Sequence, residues 1–65
     1  METLTRNIRE ARKATGLSQD LASRKCGIGY AHYVAIEKGI RSPSLRVLEK
    51  IAEALETTVS QLTRD

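Results

Sequence analysis

The sequence contains no tryptophan and no phenylalanine, so its core must be aliphatic. Its single cysteine cannot close an internal disulfide and, with no signal-peptide pattern, points to a reducing, cytoplasmic setting. No apolar run approaches the roughly 20 residues needed to span a bilayer, which excludes a membrane helix and leaves no expected membrane partner. No alternation of apolar and polar residues marks a strand. At 65 residues the chain amounts to one domain, taken as 1–65, and a chain of that size buries only about 60% of the surface its unfolded form exposes.

Charge is plentiful and unevenly placed. Residues 1–50 carry ten Lys/Arg against five Asp/Glu, a balance of +5, while residues 51–65 carry one against three, a balance of −2. A basic body suits a polyanionic partner, although an ordinary solvated surface has the same charge signature.

Helical periodicity recurs along the whole chain. Leu4, Ile8, Ala11 and Thr15 form one stripe of a first helix, with Arg6, Arg9 and Lys13 opposite and Gly16 as its stop. Arg12 stands apart from the other cations, on the flank of the apolar stripe. A second helix starts at the cap Ser18, with Leu17 before it as a hydrophobic staple, and ends at Gly27. A third runs from Gly29 or Tyr30 to Glu37 and closes at Gly39. Ser42 or Ser44 caps a fourth, with Pro43 in its first turn and Leu45, Leu48, Ile51, Ala52 and Leu55 on one face. Thr58 and Gln61 have capping-box spacing for a short fifth helix containing Leu62. The expected fold is all-α, a compact five-helix bundle.

Rare side chains crowd into "CGIGYAHYVAIEK", residues 26–38. Cys26 and His32 are too few for a zinc site, which takes three or four protein ligands, so no metal is expected. A Cys–His nucleophile would need a pocket, and nothing in the sequence builds one, so neither an enzyme, a cofactor nor a small-molecule substrate is expected. Helical spacing turns Tyr33 and Ile36 inward and Tyr30, Ala31, Val34 and Ala35 outward, with His32 at the edge. Two short helices joined at Gly27 form a helix-turn-helix over about residues 18–37, whose second helix is narrow enough to enter the DNA major groove.

At this point "IRxxR" from Ile8, "GLSQ" from Gly16, Gly27 followed by Ile28, "IEKG" from Ile36 and "PSLxxLxxIAxAL" from Pro43 occur in order. With these marks the chain resembles the phage-repressor (Cro/cI, or XRE) helix-turn-helix family over nearly its whole length, which implies a lambda-repressor-like DNA-binding domain. The resemblance implies that Gln19 touches a phosphate and braces the recognition helix, and that Gly29, Tyr30, Ala31, Val34 and Ala35 face the groove. It implies that Lys38, Arg41 and Ser42 grip the backbone, and that Arg12 and Glu37 form an ion pair. His32 could reach a phosphate from the edge. One departure stands out: "QDLAS" places Leu21 at a normally exposed position and Ala22 where a leucine is usual.

The function so implied is a transcriptional regulator, a repressor of phage, plasmid or restriction-controller type, bound to double-stranded DNA at a palindromic operator as a homodimer. Val47, Ala54, Val59 and Leu62 are the candidate dimer contact, unless Val47, Val59 and Leu62 simply close the monomer core. The alternative is a protein-interaction module, such as an antitoxin or the target of an anti-repressor.

Overall fold

The computed structural model describes residues 2–65, and every regular element among them is a helix: α1 Glu2–Thr15, α2 Gln19–Cys26, α3 Tyr30–Glu37, α4 Leu45–Ala54 and α5 Val59–Leu62. Their ends follow from side chains in the sequence. Ser18 Oγ accepts from the Leu21 amide at 3.1 Å, Ser44 Oγ from Val47 at 3.1 Å, and Thr58 Oγ1 from Gln61 at 3.1 Å. Each satisfies an amide that has no partner within its own helix. Ser44, and not Ser42, is therefore the cap of α4, and Pro43 lies one residue before it, outside the first turn.

Gly27 ends α2 in the left-handed region, at φ +75°. That geometry lets the Gly27 amide reach Arg24 O at 3.1 Å and the Ile28 amide reach Ser23 O at 3.2 Å. The turn between α2 and α3 is thus closed by backbone bonds that depend on a positive φ. An added Cβ would meet no neighbour, so the cost of substitution is purely conformational. Gly27→Ala is expected to lower the unfolding free energy by about 1–2 kcal/mol, and urea denaturation checks it; an unchanged midpoint would mean the turn relaxes freely.

Ile8, Ala22, Cys26, Tyr33, Ile36, Leu48, Ile51, Ala52, Leu55 and Leu62 form one buried cluster, drawn from all five helices and the end of α4. Ile28 packs against it half-buried. Three expectations need correction. Leu45 belongs to the α4 stripe by spacing but is 66% exposed. Thr5, outside the α1 stripe by spacing, is buried; its hydroxyl is satisfied by donating to Glu2 O at 2.9 Å. Ala54 and Leu62 are buried inside the single chain, so they have no surface left for a second copy. Of the four candidate dimer residues, only Val47 and Val59 keep exposed surface.

The last helix has four residues, too few to be stable alone. Asn7 holds it from the far end of the sequence: its Nδ2 donates to Leu62 O at 2.9 Å and to Arg64 O at 2.6 Å. Carbonyls that a helix C-terminus leaves unpaired are in this way tied to α1.

Candidate nucleic-acid interface

The second and third helices are fixed to each other and to α1 through one carboxylate. Glu37, the last residue of α3, is 1% exposed, and Arg12 Nε donates to its Oε2 at 2.8 Å. Arg12 Nη2 and Gln19 Nε2 both donate to Oε1, at 3.2 and 3.0 Å. Arg12 Nη1 also donates to Leu17 O at 3.1 Å, so one guanidinium joins α1, the α1–α2 turn and α3. Burial alone would raise the Glu37 pKa, but the Arg12 hydrogen bonds, the adjacent Tyr33 hydroxyl, the Gln19 hydrogen bond and the Arg12 charge reverse the balance and hold it below the ordinary carboxylate value. Gln19, at the start of α2, is thereby joined to the last residue of α3, Glu37.

Arg9 was expected on the solvent face of α1 and is not there. Its Nη1 donates to the Glu37 backbone oxygen at 2.6 Å, covering a carbonyl at the open C-terminal end of α3. Favourable charge at that end adds to the bond, since a helix C-terminus carries partial negative charge.

Tyr33 lies fully buried beneath this hub. Burial and the adjacent Glu37 carboxylate push its phenol pKa far up, and its hydroxyl, which faces that carboxylate, meets no described residue in full hydrogen-bond geometry. Cys26, buried beside it, has a thiol pushed up to about 11 by burial and by Glu37. Such a thiol is a packing group and carries little thiolate at neutral pH. No trio of His, Cys, Asp or Glu stands together as a metal site among the described residues.

On the other side of α3 the surface is open. Tyr30 is 53% exposed, Ala31 is exposed, and His32, Val34 and Ala35 are partly exposed. Gly29 caps the helix in ordinary extended geometry without a side-chain bond, leaving the first amides of α3 unblocked. The segment after α3 folds back on its last turn. Lys38 N donates to Val34 O at 3.0 Å, and Ile40 N and Arg41 N both donate to Ala35 O, at 3.0 and 3.2 Å. Backbone bonds thereby hold exposed Lys38, Arg41 and Ser42 at the C-terminal end of the outward face. Two exposures had no counterpart in the sequence reading: Ile40 at 76% and the Leu45 already noted; Leu21 is 51% exposed, as its position implied.

A short supporting helix, a glycine turn and a second helix held rigidly with one face open define a helix-turn-helix DNA-binding domain. The chain belongs to the Helix-turn-helix family (HTH_3), whose model matches residues 8–62, and within it to the XRE type, a family of DNA-binding transcriptional regulators. It is 34% identical over 58 residues to the cryptic phage CTXphi transcriptional repressor RstR of Vibrio cholerae, covering 89% of this chain and 52% of that protein. The chain thus spans about half the length of that relative. It is also 44% identical over 48 residues to an uncharacterized HTH-type transcriptional regulator of Methanothermobacter thermautotrophicus, covering 74% of this chain and 70% of that one. In three dimensions it is similar to the N-terminal DNA binding domain of SinR from Bacillus subtilis, with a TM-score of 0.91 and 26% identity over all of this chain and 96% of that one. The family is a regulator family and not an enzyme class. No described helix is long and apolar enough to cross a membrane.

Proposed function

We propose that this chain represses transcription by binding a palindromic operator as a symmetric dimer, with α3 in the major groove of each half-site. The observation that carries the reading is the open face of α3 joined to a basic segment, Lys38–Ser42, whose backbone is tied to Ala35 O. Gln19, Lys38, Arg41 and Ser42 contact phosphates, with His32 reaching one from the edge of α3. Gly29, Tyr30, Ala31, Val34 and Ala35 face the bases. Val47 and Val59, the two dimer candidates with surface to offer, lie at the two-fold contact, which sets the half-sites about 34 Å apart.

Phosphate contacts release counterions, so each lost contact should lower affinity and flatten the salt dependence. Lys38→Ala and Arg41→Ala are each expected to weaken binding on every duplex alike and to reduce the slope of log K against log salt by about 1. Fluorescence anisotropy across a salt series measures both, and an effect confined to one base position would overturn the assignment. Sedimentation of the free protein and of its duplex complex reads the stoichiometry; one chain per palindrome would sink the dimer.

A protein-interaction module is the second reading, favoured by the exposed Leu21, Ile40 and Leu45. If no duplex selected from a random pool binds at low salt, that reading replaces the first.

A further inference from the structure

The outward surface of α3 offers bases almost nothing to hydrogen-bond. Its eight residues are YAHYVAIE, with no arginine, lysine, asparagine or glutamine. Glu37 is buried and committed to Arg12 and Gln19, and Tyr33 is buried. At 100° per residue the outward side is centred on Ala31 and Ala35, with Val34 and Tyr30 on one flank and His32 on the other. The middle of the reading surface therefore consists of methyl groups.

The major groove presents hydrogen-bonding atoms at every base pair and one apolar group, the C5 methyl of thymine. An alanine or valine pressed on a polar base edge removes its water and returns no bond, which is unfavourable. Pressed on a C5 methyl, the same side chain buries apolar surface on both partners, which is favourable. Nothing at Ala31, Val34 or Ala35 can tell the O4 of thymine from the N4 amine of cytosine by bonding to it. The occupant suited to this strip is polyanionic, because exposed Lys38 caps α3 and Arg41 is held at its end by the Ala35 carbonyl.

We propose that α3 reads 5-methylpyrimidines: Ala31, Val34 and Ala35 rank operators by the C5 methyl groups they present. Thymine is then selected without a hydrogen bond, and 5-methylcytosine substitutes for it, so cytosine methylation strengthens binding at those positions. This inference rests on the DNA-binding reading above.

The test starts from a duplex selected from a random pool, followed by anisotropy titration of derivatives at one low salt concentration. Replacing thymine with deoxyuridine, one position at a time, removes only the methyl. Each thymine under the strip should lose about fourfold in affinity, the equivalent of about 0.8 kcal/mol for one buried carbon. Placing cytosine there should weaken binding further, and 5-methylcytosine should recover about fourfold of that loss. Val34→Ala should shrink the uracil penalty at one position and leave the others unchanged; if that variant misfolds by circular dichroism, the uracil series on the unaltered protein decides alone. Equal affinity for thymine and uracil duplexes at every position overturns the inference while leaving DNA binding intact. Failure of any pool duplex to bind overturns the DNA-binding reading itself, and this inference with it.

Discussion

Arg12→Ala is expected to lower the unfolding free energy by about 3–5 kcal/mol, enough to leave much of the population unfolded at 25 °C. A chain of this size has in all roughly 3–10 kcal/mol, at about 0.05–0.15 kcal/mol per residue. The loss is large because the Glu37 carboxylate is 1% exposed and would keep its charge with Gln19 as its one remaining side-chain donor. An exposed pair such as Arg24–Asp20, 3.3 Å apart on α2, would cost no more than about 1 kcal/mol when broken. The pH dependence gives the sign. Glu37 is held below its ordinary value of 4.5 in the folded protein, so its contribution is fully present above that pH and is lost as pH falls through the folded value. In the Arg12→Ala protein burial acts without its main opponent, so the folded value should rise above that of the parent. The variant should then gain stability relative to the parent as pH falls from 7 to 4. Urea midpoints at those two pH values measure it, and a stability gap that stays constant would show that Glu37 is not the group left unpaired. Glu37→Gln, which keeps the shape and an acceptor for Arg12, should cost less than Arg12→Ala.

Tyr33→Ala should cost about as much, roughly 3–5 kcal/mol, through the cavity it leaves beneath the hub. Tyr33 is fully buried at the point where α1, α2 and α3 meet the aliphatic cluster. Tyr33→Phe separates the ring from its hydroxyl. Since the hydroxyl is buried without a partner among the described residues, removing it should raise stability by about 1 kcal/mol. A loss of that size would mean instead that the hydroxyl donates to Glu37. The companion change Tyr30→Ala, at a side chain 53% exposed, should leave thermal stability nearly unchanged while altering preference among operators. The two tyrosines, three residues apart, are thus expected to act on different properties, and thermal melts with duplex titrations of the three variants distinguish them.

The local rules carried most of the fold because they act between residues close in sequence. Ser18, Ser44 and Thr58 cap helices three residues ahead of themselves, and Gly27 ends α2 by the conformation it permits. The 3.6-residue period placed Ile8, Ile36, Leu48, Ile51 and Ala52 inside. Periodicity failed where burial depends on what another element covers. Leu45 keeps the spacing of a core residue but has no neighbour over it, whereas Ala54 and Leu62 are covered by their own chain. The candidate dimer contact shrank to Val47 and Val59 for that reason. Of the candidate interface, the outward set on α3 was legible from one helix's geometry, but the positions of Lys38 and Arg41 relative to it were not.

By itself, then, the sequence determined five helices, the caps Ser18 and Thr58 and a glycine turn, since each of these depends on neighbours within about one helical turn, and the order of its motifs from Ile8 to Leu55 pointed to the family. Tertiary structure alone decided that Arg9 leaves the solvent face for the end of α3, that Asn7 secures the last helix, and that the Tyr33 hydroxyl is buried beside Glu37 without full hydrogen-bond geometry to any described residue. Those outcomes join groups 28, 55 and 57 positions apart, or depend on how other elements pack around a buried group. A buried polar atom is satisfied or orphaned by whatever the rest of the chain brings to it, and no local pattern encodes that.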